Sequence, residues 1–252
     1  MGNGYLRLAA LGDSTTVGLG DPLPGGGWRG WARLLAEALQ ASYDVSFCNV
    51  ARSGATAASV REQQLAEALA HRPDLASLPV GVNDTLRSTW DPERLHADLA
   101  EVAGALVGGG ATLMTVRWHD HAALLGLPRV VVRPMAERIA LVNEVYDDLH
   151  ATYGGLRLDL ALMPEVRDRT CWSIDRFHPS ELGHRALARA WGERLHAAGF
   201  DFPLPSLERG GGCSPSWRRD VAWMVTEGAP WFGRRARDLG PWAVRRALAV
   251  AR

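Results

Sequence analysis

The sequence predicts an α/β fold built on a parallel sheet of five strands. The main observation is an alternation along residues 5–198 of short apolar runs with longer stretches of helical periodicity, the pattern of repeated strand–helix units. The second is size: 252 residues suffice for one large domain, or a domain with an appendage. The third is composition, since 47% hydrophobic and 22% charged residues are ordinary values for a globular chain with a sizeable core.

Taken in order, Tyr5–Leu11 reads as the first strand, an apolar run that stops at Gly12-Asp13. Trp28–Ala41 is a helix and Val45–Val50 the second strand, followed by a helix near Val60–Leu69. Leu75–Val82 is a third strand, weakened by Pro79, which has no amide to donate to a ladder. Asp91–Val107 places Leu95, Leu99, Val102 and Leu106 on one helical face, and Gly108-Gly109-Gly110 ends it. Ala111–Val116 is the fourth strand. Pro134–Tyr153 is helical, with Ile139, Val142, Tyr146 and Leu149 in register, and Leu156–Leu160 is a short fifth strand. Ser180 caps a last helix that runs to about Ala198.

The rhythm breaks at 202–213, where two prolines and Gly210-Gly211-Gly212 mark a linker. The expected division is therefore a domain at 1–202 and an appendage at 203–252. The appendage contains Trp217, Trp223, Trp231 and Trp242 among paired arginines. Net charge is zero overall, which argues for no nucleic-acid partner, but it is unevenly spread. Residues 1–202 carry 19 Arg against 24 acids and residues 203–252 carry 9 Arg against 4. A helical appendage with its tryptophans packed on the acidic body is the favoured expectation. Docking to an acidic partner, a membrane surface or nucleic acid is the alternative, and five excess charges do not choose.

All 28 basic residues are arginine, which excludes a lysine nucleophile, a Schiff base and a Walker A loop. Cys48, Cys171 and Cys213 have neither metal-ligand spacing nor the even number of a disulfide framework, which suits a reducing compartment. The N-terminal apolar run is too short for a signal peptide, Leu6 breaks the myristoylation pattern, and no stretch approaches about 18 apolar residues. The expected location is cytoplasmic.

Four stretches can carry chemistry. Gly12-Asp13-Ser14 follows the first strand, at the carboxyl edge where parallel sheets bind ligands, near the amides that open the next helix. Asp175-Arg-Phe-His178 puts a carboxylate three residues from an imidazole on a tight loop, so that one ring nitrogen can be held while the other takes a proton from serine. Asn83, in Gly81-Val82-Asn83-Asp84, follows the third strand, and its carboxamide can donate to a developing oxyanion. Gly54 follows the second strand and lets a backbone amide approach a substrate closely. Each alone is equally an ordinary turn or loop.

Jointly, the four blocks, in this order, resemble the SGNH (GDSL-type) hydrolase family. The resemblance spans about residues 5–198, and its first block, continuing to Gly20, is most similar to actinobacterial members. It implies a three-layer, flavodoxin-like α/β/α sandwich with Ser14, Asp175 and His178 as a catalytic triad. It also implies an oxyanion hole from the Ser14 amide, the Gly54 amide and the Asn83 side chain. The function implied is hydrolysis of small-molecule carboxylic esters through an acyl-enzyme, with no cofactor. An acyltransferase using the same intermediate, or a retired scaffold that only binds, is the alternative.

Other patterns carry less. Gly25-Gly26-Gly27-Trp28-Arg29-Gly30 satisfies G-x-G-x-x-G but follows Pro24 rather than a strand. His119-Asp120-His121 has two metal-capable rings, yet after the fourth strand it is expected to border the substrate pocket with Trp118 and Asp13, so no metal is expected. The G-x-S-x-G elbow of the α/β-hydrolase fold is absent.

Overall fold

The computed structural model describes residues 4–124 and 129–212, with isolated positions after 215. In chain order the elements are β1 (Tyr5–Ala10), α1 (Ser14–Val17), α2 (Gly30–Leu39), β2 (Asp44–Asn49), α3 (Ala57–Gln63), α4 (Leu65–Ala70), β3 (Leu75–Ser77) and α5 (Val82–Thr85). They continue as α6 (Pro92–Gly108), β4 (Thr112–Arg117), α7 (His121–Leu124), α8 (Arg129–Tyr153), β5 (Leu156–Asp159), three short 3-10 turns and α9 (Glu181–Ala197).

The five strands form one parallel sheet in the order β2-β1-β3-β4-β5. This is the flavodoxin-like order, and its direction reverses between β1 and β3, where such sheets open a crevice at their carboxyl ends. Ser14 follows β1 and Asn83 follows β3, so the topology sends both to that crevice.

Helices flank the sheet as two packed groups. α2 packs against α9, where Trp31 and Trp191 stack with ring centroids 6.1 Å apart. α3, α6 and α8 pack in series as the second group. The central strands supply Leu8, Leu75 and Leu113 and the helices supply Leu35, Leu39, Leu99 and Leu106, all buried to 1% exposure or less. Each such leucine is worth about 1.5–3 kcal/mol of transfer free energy, so the helical periodicity read from the sequence marks the faces that hold the layers together.

Three boundaries differ from expectation, each for a local reason. The third strand stops at Ser77, and Pro79 is the cause. The Tyr146 hydroxyl on α8 takes over the backbone there, donating to the Leu78 carbonyl at 2.6 Å and accepting from the Val80 amide at 3.0 Å. The helix expected near 60–69 is two helices broken at Gln64, whose side chain leaves to bind Gly12. α8 begins at Arg129, and Pro134 lies inside it, removing one amide from its ladder. Ser180 caps α9 as expected, its hydroxyl accepting from the Gly183 amide.

Gly210, in the stretch expected to be a linker, is tied to the start of α2 and to α9. The Gly210 carbonyl accepts from the guanidinium groups of Arg29 and Arg185, while its amide donates to Glu181 at 2.8 Å. The expected helical packing of residues 213–252 falls almost wholly outside the described residues. Among the described residues no helix is long and apolar enough to cross a membrane.

Candidate active site

β1 delivers Leu11-Gly12-Asp13-Ser14 to the crevice. Gln64 clasps this turn from α3–α4, donating to the Gly12 carbonyl and accepting from the Gly12 amide, both at 2.9 Å. Asp13 caps α1 by accepting from the Thr15 amide at 3.0 Å, leaving Ser14 as the first helical residue. Nothing in the spacing of Gln64 marked it for this work; in the sequence it is one polar residue within a helical pattern.

The partner loop is built around one carboxylate. Asp175 Oδ1 accepts from the Ser173 hydroxyl at 2.5 Å, the Phe177 amide at 2.9 Å and the His178 amide at 3.0 Å. Gathering those amides forces a tight turn, and Arg176 sits at φ +56°, in the left-handed region that a non-glycine side chain disfavours. The other oxygen, Oδ2, accepts from His178 Nδ1 at 2.6 Å. Since a carboxylate can only accept, Nδ1 carries the ring proton and Nε2 presents a lone pair. Ser14 Oγ donates to that Nε2 at 2.8 Å, across 164 residues of sequence. Ser14, His178 and Asp175, named from two short motifs, thus form one continuous hydrogen-bonded chain.

The two loops meet because glycine permits it. A Cβ on Gly20 (φ +100°) would lie 1.9 Å from the Pro179 carbonyl oxygen, so the chain after Ser14 can press against the chain after His178. His184 reinforces the contact from α9. It accepts from the Trp31 amide at 3.3 Å and donates to the Leu19 carbonyl at 2.8 Å, and burial lowers it to about 4, so it stays neutral. Arg29 is a further buried tie, bonded to Asp21 at 2.9 Å and to Glu181 at 3.1 Å. Sequence reasoning missed both; each needs a partner far away in the chain.

Gly54 has φ +76° and no atom within 4 Å of where a Cβ would point, so the backbone here faces open space. Asn83 is 2% exposed, and its Nδ2 donates to Asp13 Oδ2 at 3.3 Å and to the Ala55 carbonyl at 3.2 Å. With acceptors on both sides, the amino end of the carboxamide is the end held beside Asp13 and residue 55.

Charge is divided within the site. Burial opposes ionisation of Asp175, but the bonds from His178, Ser173 and Phe177 outweigh it and hold the carboxyl at about 2. Burial wins at Asp13, which is pushed up to about 6 against the Thr15 amide and the His178 ring. It wins also at Asp84, pushed up to about 7 despite bonds from the Ala57 amide to both its oxygens.

The remaining expected residues occupy two places. Trp118 and His119 line a cavity together with Thr15, Phe177 and Pro179. Asp13 is absent from that lining; its carboxyl accepts from the Thr15 amide and from Asn83. His119 and His121 stack with centroids 3.9 Å apart, and among the described residues no group of three metal-capable side chains gathers around them.

This geometry has known relatives. Solved structures of similar shape include that of TesA (24% identity, 76% of this chain and 98% of that chain covered, TM-score 0.61). They also include an acetylxylan esterase, Axe2, from Geobacillus stearothermophilus (22% identity, 83% and 99% covered, TM-score 0.63). A third is the psychrotrophic esterase EstA from Pseudoalteromonas sp. (13% identity, 76% and 97% covered, TM-score 0.60). No curated protein matches the chain in sequence. The model of the GDSL-like lipase/acylhydrolase family matches residues 10–186, which span the turn that carries Ser14, the loop that carries His178 and the first turns of α9, and the chain belongs to that family.

Proposed function

We propose that the chain is a serine esterase that hydrolyses small-molecule carboxylic esters through an acyl-enzyme on Ser14. The observation that carries this reading is the unbroken Ser14–His178–Asp175 hydrogen-bond chain, at 2.8 and 2.6 Å. His178 Nε2 takes the Ser14 proton as Oγ attacks the ester carbonyl, and Asp175 steadies the imidazolium that forms. The oxyanion is held by the amides of Ser14 and Gly54 and by Asn83, one of whose two Nδ2 hydrogens leaves its long bond to Asp13 or the Ala55 carbonyl to reach it. His178 then protonates the departing alcohol, and in the second half of the cycle deprotonates the water that releases the acid. No step calls for a cofactor.

Support comes from the family, and from Axe2, of which structures with catalytic substitutions at a serine, an aspartate and a histidine are known, the last two three positions apart. The intact hydrogen-bond chain argues against a retired scaffold. We include in the proposal the division into a hydrolase domain at 1–202 and an appendage at 203–252, tied at Gly210, and a reducing, cytoplasmic setting that suits the free Cys48 and Cys171.

The test is hydrolysis of p-nitrophenyl acetate by the wild type and by Ser14→Ala. The expected result is measurable turnover that Ser14→Ala brings down to background, a loss on the order of 10⁵–10⁶ in kcat. Full activity in Ser14→Ala would overturn the mechanism.

A further inference from the structure

The cavity beside His178 has an unusual combination of walls. Most of its lining is apolar, with Trp172 and Phe177 among the aromatic members. The Trp172 indole is already satisfied, donating to the Val166 carbonyl at 2.9 Å. Three other buried polar atoms are not: Trp118 Nε1 and both ring nitrogens of His119 have no hydrogen-bond partner, and His119 is 5% exposed. A buried polar atom without a partner costs free energy that a bound ligand can return by pairing with it.

The hydrogen-bonding character of this wall can be read atom by atom. His121 Nδ1 donates to the His119 carbonyl at 3.1 Å, which leaves His121 Nε2 as an acceptor. A neutral His119 ring offers one donor and one acceptor in either tautomer, and Trp118 Nε1 can only donate. Two stacked imidazoles 3.9 Å apart do not both carry charge, and burial holds His119 well below its ordinary range and His121 at about 4. The wall therefore presents donors and acceptors together without positive charge. Glu165, also in the lining, disfavours an anion.

Position decides which half of an ester would lie here. Ser14 and His178 are not themselves in the lining, but each has chain neighbours in it, Thr15 for the serine and Phe177 and Pro179 for the histidine, whereas neither Gly54 nor Asn83 has one. The imidazole that takes the serine proton must return it to the leaving oxygen, so the alcohol sits on the histidine side and away from the oxyanion donors. Size sets the limit. The cavity measures about 40 Å³, room for roughly three water-sized groups.

We propose that this cavity is the subsite for the alcohol half of the substrate, and that it selects a short, uncharged alkyl group bearing a hydroxyl. The inference rests on the esterase reading and adds the chemical class of the leaving group. A hydroxyl both donates and accepts, which is what His119 and Trp118 jointly require; a methyl in its place leaves them unpaired.

The experiment compares kcat/KM for 2-hydroxyethyl acetate and propyl acetate, two esters of nearly equal length, with p-nitrophenyl acetate as a separate check on ester cleavage. Both values are taken on one enzyme sample, so the ratio is independent of how much of it is folded. The wild type should favour the hydroxyethyl ester roughly tenfold. His119→Phe should bring the ratio to about one, and His119→Gln, which keeps a donor and an acceptor, should restore part of the preference. Cleavage of p-nitrophenyl acetate without a hydroxyl preference overturns this inference and leaves the esterase reading standing, as does a preference undiminished in His119→Phe. Absence of cleavage of all three esters overturns the esterase reading, and this inference with it.

Discussion

Asp175 and Asp13 are buried alike, at 8% and 3% exposure, and both sense the His178 ring, yet they titrate in opposite directions. Asp175, in the loop before α9, collects four donors: the Ser173 hydroxyl, two backbone amides and the imidazole itself. Asp13, in the turn after β1, collects the Thr15 amide and one long bond from Asn83. Desolvation is the same kind of cost in both; the number and quality of donors decide whether the charge survives it. The loop that must keep an anion is wrapped around it, at the expense of a left-handed Arg176, while the turn that must present a hydroxyl tolerates a carboxyl near neutrality.

The largest effect is expected of Asp175→Asn. The change is nearly isosteric, but it removes the charge and sets an amide opposite His178 Nδ1, favouring the tautomer with its proton on Nε2. Turnover of p-nitrophenyl acetate should fall about 10⁴-fold with KM little changed. A loss under tenfold would mean that the four-donor cage serves the loop and not the imidazole.

Asn83→Ala probes the weaker partner. It deletes the donor to Asp13 and the proposed contact with the oxyanion, and kcat should drop on the order of a hundredfold while KM moves by a few-fold at most. An equal rise in KM at constant kcat would show that the carboxamide binds substrate and transition state alike, contrary to the proposed role.

These two sides of the site were not equally legible in the sequence. Asp175 and His178 are three residues apart, so their pairing is a local event that their spacing allows, and the four blocks taken together pointed to it. Ser14 was readable because a strand end in a parallel sheet is a privileged place, and Gly54 and Asn83 stood at the matching ends of the next two strands. What holds these groups in register was not readable. Gln64 reaches back 52 residues to Gly12, and Tyr146 reaches 66 residues to replace the ladder that Pro79 interrupts. In the sequence the first is a polar residue on a helix and the second a member of an apolar stripe. The pKa difference between Asp13 and Asp175 was equally hidden, since it depends on how many donors converge in space.

Asp84 extends the comparison to stability. It lies next to Asn83, and burial, together with repulsion from Asp13 among other acids, pushes it up to about 7 from an ordinary 3.8. Between about pH 4 and pH 7 the unfolded chain has lost this proton and the folded chain keeps it. Stability from the protonated carboxyl is therefore fully present below pH 4, is lost as pH rises through about 7, and stays lost above. Asp84→Asn retains an oxygen to accept from the Ala57 amide but has no charge to bury. It should leave Tm near the wild-type value at pH 4.5 and raise it at pH 8 by on the order of 2–6 °C, a gain of about 1–2 kcal/mol. The measurement is a pair of thermal melts at the two pH values. A gain no larger at pH 8 than at pH 4.5 would mean that Asp84 is ionised in the fold as readily as in water, and that two bonds from a single amide can protect a buried charge as well as the four donors around Asp175.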